Sequence, residues 1–298
     1  MTTDQRSAAD VVQARLTEQV RELRALDPLV RRDVPDSVHR MRVATRRLRS
    51  ALATFRPLVD RDVTDPLRDE LKWLAGALGE VRDTEVMHER LTTLVAETAP
   101  GAIRGGADAR IDRELVNRYE AARVEAMKAL RSPRYHALLE RLKELTTAPP
   151  WTAKASEGAE AALPARVRRD WKRLERRIDT AAGTADRTER AARLHEARKA
   201  AKRFRYAAET AVPVHGEDAR RLVKRTKRLQ TVLGDHHDAV VTQAWLRELA
   251  DWVAAEGEDT FTFGVIHARE EVLAETSEAR LAKAWKKTAR KKYRKWLR

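Results

Sequence analysis

Cysteine is absent from the 298 residues, which rules out disulfides, thiolate metal sites and cysteine nucleophiles. No apolar run approaches the roughly 18 residues needed to span a bilayer. Glycine (11) and proline (10) are sparse and aromatics make up only 5 %, so turn signals and strand-forming runs are few. The opening stretch MTTDQRSAAD is polar and mixed in charge, unlike a secretory signal, and a cytoplasmic location is expected.

What the chain has instead is alanine, leucine, arginine and glutamate, a helix-forming mixture. The formal net charge is +15 and the isoelectric point is near 10.3. That balance favours acidic partners: polyphosphate, nucleic acid or an anionic membrane surface.

Apolar residues recur at helical spacing almost throughout. Val12, Leu16, Val20 and Leu23 mark a first helix, and a second runs from Asp36 or Ser37, as N-cap, to about Pro57. A third is expected over about 65–97, loosened at Gly76 and Gly79, and a fourth from Asp108 to Thr147, interrupted at Ser132–Pro133. Residues 148–163 lack periodicity and read as a linker. Helices are expected again over about 164–182, 186–212, 216–255 and 260–297. The outline is all-α: one helical bundle over 1–147 and a second over 164–298.

The residues repeat as well as the outline. VHRMRVATRRLRSAL at 38–52 matches LHEARKAAKRFRYAA at 194–208, and ALGEVRDTEV at 77–86 matches VLGDHHDAVV at 232–241. The offsets are 156 and 155, so two motifs hold register over some forty residues, as duplication of a whole helical unit predicts.

His39, Arg42, Arg46 and Arg49 stand at offsets 0, +3, +7 and +10, within an arc of roughly 80° and a stripe about 15 Å long. His195, Arg198, Lys202 and Arg205 repeat those offsets, with Arg47 and Arg203 at the flank. From Ser37 to Val59 there are six arginines and no acid. A solvated helix face usually alternates signs, as Glu140, Arg141, Lys143 and Glu144 do. A one-signed stripe repels itself, so its presence in both copies points to an anion site. Arginine grips phosphate oxygens bidentately and stays charged, and the histidines can donate to the same oxygens. Lys72 and Lys227, with Arg68 and Lys224 one turn earlier, are candidates for a second basic wall; a solvated helix face is the plainer alternative. Asp83 and Asp238, the acids inside the second motif, are expected to orient the arginines rather than transfer protons.

These residues resemble the CHAD family, the conserved histidine α-helical domain. The resemblance lies in H-x-x-R-x-x-x-R/K-R-x-R at 39–49 and 195–205 and in L-G-x-x-x-D at 78–83 and 233–238. It implies two four-helix bundles related by pseudo-twofold symmetry, basic residues around a central pocket or pore, and binding of inorganic polyphosphate. In some members it also implies association with polyphosphate granules. Relatives that fuse the domain to a triphosphate-tunnel hydrolase carry an E-x-E-x-K strand signature, absent from this sequence. His237–Asp238 stands where the first copy has Arg82–Asp83, which leaves the roles of His236 and His237 open.

Three other chemistries have weaker footing. A metal-dependent phosphohydrolase is suggested by His195 with His237–Asp238, but the first copy offers Arg82 in the ligand position. A di-iron bundle needs two Glu-x-x-His pairs and only Glu85-x-x-His88 exists. A P-loop is absent. Nucleic-acid binding competes more strongly, because the tail at 282–298 holds nine basic residues and no acid, with Trp285, Tyr293 and Trp296 among them. Packing of those aromatics against the bundle is the alternative. The expectation is a non-catalytic polyphosphate binder without metal or cofactor, with nucleic acid as a secondary partner.

Overall fold

A computed structural model describes residues 6–298; the first five, in the N-terminal stretch read above as unlike a signal, lie outside the described residues. Among the described residues there are no strands, only the two isolated bridges Ser7–Gly158 and Val59–Trp151. The fold is all-α.

Local chemistry sets the helix starts. Helix α1 (Ala8–Arg31) opens on a capping box, in which the Ser7 hydroxyl accepts from the Asp10 amide and the Asp10 carboxylate accepts from the Ser7 amide. Helix α2 (Ser37–Thr54) follows Asp36, which takes the N-cap position with φ of 63° and makes no side-chain cap. Helix α3 (Arg61–Ala77) is capped by Asp60 and starts earlier than the expected Asp65, because Pro66 is tolerated inside its opening turns. The glycine pair ends it: the chain turns at Leu78 and continues as α4 (Gly79–Ala96), so the single helix expected over 65–97 is two. The next is also two, α5 (Ala107–Arg131) and α6 (Pro133–Thr147), separated where Ser132 caps a helix with Pro133 at its first position.

Helix α7 (Ala159–Ala182) begins five residues inside the stretch read as a linker and carries Pro164 within it. The rest of that stretch is pinned rather than loose. Asp60 donates to the Pro150 carbonyl (2.7 Å), Thr152 to that of Leu58 (2.9 Å) and Ala8 to that of Glu157 (2.8 Å). Helix α8 (Arg187–Ala255) joins the two helices expected over 186–255 through a kink at Gly216 (φ 49°, ψ −126°), just after Pro213. Helix α9 (Phe261–Thr288) stops short of the expected end at 297. The chain then coils through short 3-10 turns at Lys291–Tyr293 and Lys295–Leu297, which brings Leu297 into the main core. The tail aromatics pack: Trp285 stacks on Trp171 with centroids 5.1 Å apart, and Trp296 lies 4.7 Å from the His215 ring.

The main core draws on both sides of residues 148–163, from α1, α2, α3 and α6 on one side and α7 and α8 on the other. A second cluster joins α4 and α5 (Leu91, Ile111, Leu115) to the end of α8 and the start of α9 (Leu246, Phe263, Ile266). Helices α2 and α8 are in contact, and both bury small residues, Ala44 and Ala51 on the first and Ala197, Ala201 and Ala208 on the second. Small side chains let the two helix axes approach, and this brings the flanking basic stripes to the edge of one cleft.

Candidate anion-binding site

The cleft has a volume of about 1040 Å³ and is lined by parts of α2, α3, α4, α5, α7 and α8. Thirteen arginines and lysines face it against five carboxylates, so its interior field is strongly positive whatever the overall charge.

One arm of the cleft comes from α2 and α4. Arg42 donates to Asp83 Oδ1 at 2.7 Å and to the Gly79 carbonyl at 3.3 Å, so the L-G-x-x-x-D segment holds the first stripe at two points. The other arm lies within α8, where Arg198 pairs with Asp238 at 3.4 Å. Both glycines sit against the guanidinium: a Cβ on Gly79 or on Gly234 would lie 3.7 Å from the Nη2 of Arg42 or Arg198, in ordinary contact. The same local arrangement occurs twice.

Between the arms stand Arg46 and Lys202. Neither makes an ion pair or side-chain hydrogen bond among the described residues, and the Nε of Arg46 is buried without an acceptor, as is that of Arg198. The Lys202 ammonium is pushed down to about 7, first by burial and then by Arg198 and Arg46, against which Asp238 only partly compensates. Burial likewise lowers Arg46, with Arg42 and Arg198 adding to it. Cations from the two sequence motifs therefore feel each other across one site. The stripes converge.

His39 and His195 both line the cleft, and both are held below the usual histidine range by burial, then by Arg82 for the former and by Lys199 and Arg198 for the latter. His195 Nδ1 faces His237 Nδ1 at 3.1 Å with ring centroids 4.2 Å apart. Burial and then Arg198 push His237 down to about 3, so it is neutral at physiological pH. His236 points the other way: it is buried and its Nε2 meets Glu278 at 3.0 Å.

Arg49 and Arg203 also line the cleft, Arg203 being engaged with the buried Asp170 at 2.7 Å and the Ala53 carbonyl at 3.0 Å. Arg47 and Arg205 do not line it. Both turn to Glu209, at 3.3 and 3.5 Å, and lie over the Tyr206 ring, 5.7 and 4.9 Å from its centroid. Lys72 lines a separate open depression with Trp73 and Glu125, and Lys227 is exposed and lines neither site. The second basic wall is supplied instead by Arg68 on α3, Arg82 and Arg90 on α4, Arg118 on α5, and Arg173 and Arg177 on α7. Only Arg68 was legible as a candidate wall residue; the acid-free pairs in WKRLERR at 171–177 were the overlooked signal for α7. Arg90 is held by a bidentate pair to Glu270, a fully buried carboxylate on α9, at 2.5 Å on both sides.

The site offers little to a metal. Among the described residues no three His, Asp or Glu side chains are gathered as a metal site requires. Asp238 is engaged with Arg198, Glu85 pairs with Arg82 at 2.9 Å and His88 meets Asp112 at 2.7 Å.

Residues 14–247 match the CHAD domain family. The chain belongs to it. The uncharacterized proteins MT2285 and Rv2226 of Mycobacterium tuberculosis, strains CDC 1551 and H37Rv, are each 35 % identical to this CHAD chain over 279 residues. The match covers 94 % of the chain and 53 % of either relative, so the chain spans about half the length of the curated relatives it matches. Among solved structures, PptA from Streptomyces chartreusis superposes with a TM-score of 0.77 at 23 % identity, covering 94 % of this chain and all of that one. The CHAD domain from the plant Ricinus communis gives 0.72 at 26 % identity, covering 95 % and 93 %. The first likeness shows the fold alone; the second agrees with the family. Among the described residues no helix is long and apolar enough to cross a membrane.

Proposed function

We propose that this CHAD domain binds inorganic polyphosphate in the cleft, without catalysis, and that its two arms descend from a duplicated unit with pseudo-twofold symmetry. The observation that carries the reading is the pair Arg46 and Lys202: two cations from different helices that line one cleft, the first lowering the second, with no ion pair of their own among the described residues. Such an arrangement weakens the fold unless an anion completes it. A linear polyanion fits because the cations are distributed along two stripes rather than gathered at one point. Binding releases the counterions such a cleft attracts, so affinity falls with salt.

His39, Arg42, Arg46, Arg49, Arg68, His195, Arg198, Lys202 and Arg203 form the binding set, and Asp83 and Asp238 hold Arg42 and Arg198 in place. Attachment to polyphosphate granules belongs to the same reading. Nucleic acid is the weaker partner, since Trp285 and Trp296 are packed against Trp171 and His215 rather than presented for base stacking.

The test is competitive binding of long-chain polyphosphate, duplex DNA and RNA to the purified chain across salt. Polyphosphate is expected to win at near-physiological salt, and Arg46→Glu with Lys202→Glu to weaken it by about a hundredfold or more, the scale of about 3 kcal/mol for two reversed charges in a desolvated site. Equal affinity for the three polymers, or an unaffected double variant, sinks the proposal. Metal-dependent release of phosphate that is lost in Asp238→Ala would sink its non-catalytic part.

A further inference from the structure

The outer face of α7 carries six exposed cations within ten residues: Arg168, Arg169, Lys172, Arg173, Arg176 and Arg177. None of the six makes an ion pair or a side-chain hydrogen bond among the described residues. The two acids interleaved with them are both taken by other arginines. Asp170 is buried against Arg203 and the Thr54 hydroxyl, and Glu175 faces Arg294 of the C-terminal tail at 4.0 Å.

Helix α9 is built differently. On α9 the acids Glu270, Glu271 and Glu278 each meet an arginine from another helix, at 2.5 to 2.9 Å. On α7 four like-charged pairs stand at i, i+4, each weakening the helix rather than supporting it. The buried face of the helix, with Val167, Trp171, Leu174 and Ile178, keeps it in place despite that repulsion.

The six are also continuous with the cleft. Arg173 and Arg177 line it, and at about 100° per residue Arg169 and Arg176 lie next around the helix, then Lys172 and Arg168. Together they span roughly 13 Å along the axis and lead from the cleft mouth across open surface towards the docked tail. No aromatic side chain is exposed among them, so the face offers charge without a stacking platform.

We propose that the outer face of α7 is a rail for the part of a polyphosphate chain that extends beyond the cleft, and so sets a preference for long chains. This rests on the polyphosphate reading of the cleft. Once one stretch of the polymer is held between the two arms, the next is at high local concentration over α7, and each further phosphate neutralised there adds affinity without a new binding event.

The experiment is a chain-length series, from tripolyphosphate to long-chain polyphosphate, titrated onto the whole chain and onto Arg169→Glu/Lys172→Glu/Arg176→Glu, which leaves every cleft-lining residue intact. The parent should bind long chains more tightly than tripolyphosphate. The triple variant should keep its tripolyphosphate affinity and its melting curve, and lose roughly tenfold or more on long chains together with part of the salt dependence. Unchanged long-chain affinity overturns the rail, as does an equal loss at every chain length, which would mean a general field effect. A parent that binds no polyphosphate, or binds it unaffected by Arg46→Glu/Lys202→Glu, overturns the cleft reading instead, so the two failures are separable.

Discussion

The two arms of the cleft share a plan and differ in charge. In the α2–α4 arm, position 82 is an arginine held by Glu85 at 2.9 Å, and Arg42 is clamped tightly by Asp83. In the α8 arm the matching position is His237, neutral and tilted against the His195 ring, and the Arg198–Asp238 pair is looser at 3.4 Å. The α8 arm thus offers one cation fewer at that position and replaces Arg46 by Lys202, a lysine brought down to about 7 by burial and its arginine neighbours. Where the α2–α4 arm has Arg46, charged throughout, the α8 arm has a lysine whose charge changes with pH near neutrality. What both retain is the arginine–carboxylate clamp, which orients a guanidinium without neutralising the stripe.

The arms are also anchored to α9 differently, and this predicts the largest effect. Arg90 of the α2–α4 arm is paired bidentately with Glu270, which is fully buried. Glu270→Ala leaves a largely desolvated arginine without its partner and is expected to cost about 3–5 kcal/mol. His236 of the α8 arm meets Glu278, but that carboxylate is also held by Arg190 at 2.9 Å. His236→Ala is therefore expected to cost only about 1–2 kcal/mol. Denaturant unfolding of the two variants checks this; equal losses would mean that the two anchors are not unequal as drawn.

A smaller effect separates the arms by pH. Arg42 and Arg46 of α2 and Arg198 and Asp238 of α8 face Lys202, and burial together with the three arginines keeps its ammonium near 7 in the free protein. A bound polyanion opposes that push and raises the value, so binding takes up a proton. Affinity is then full below about pH 7 and falls as pH rises above it, by up to about tenfold per unit until the value in the complex is passed. Lys202→Arg, charged throughout, should flatten the profile between pH 7 and 9. Isothermal titration in buffers of different ionisation enthalpy reads the proton uptake directly; none at pH 8 would contradict the lysine's role.

Much of this was legible from residue patterns. Helical periodicity and the near absence of breakers led to the all-α class, and the two His-Arg stripes with their L-G-x-x-x-D partners pointed to the cleft. What local pattern cannot carry is the direction of a long side chain. Arg47 flanks the repeated stripe and Arg205 ends its second copy, yet Glu209 and Tyr206 draw both away from the cleft. Lys72 and Lys227 precede their motifs by six residues, yet Lys72 lines a separate depression and Lys227 lines neither site. Arg118, Arg173 and Arg177 come from helices with no repeated motif and Arg90 stands two turns beyond the motif of α4, so only packing reveals them as a wall. The same holds for the core: residues from both sides of 148–163 interdigitate, which no boundary drawn on composition could show.

The finest difference between the arms is the one most open to a single substitution. If His237 marks the place where the α8 arm lacks a charge, His237→Arg restores the pattern of the other arm. The new guanidinium would face the same space as Arg198 and Lys202, with the Asp83 carboxylate partly offsetting their charge. Repulsion from its neighbours offsets part of the gain, as it does for Arg46, so the added cation strengthens binding only modestly. Long-chain polyphosphate should bind about threefold more tightly at low salt, with the dependence on salt steepened by somewhat less than one ion. An affinity that falls instead would assign His237 a positive role, as a donor to phosphate through its pairing with His195, and would make the two arms chemically distinct rather than one a weakened copy of the other.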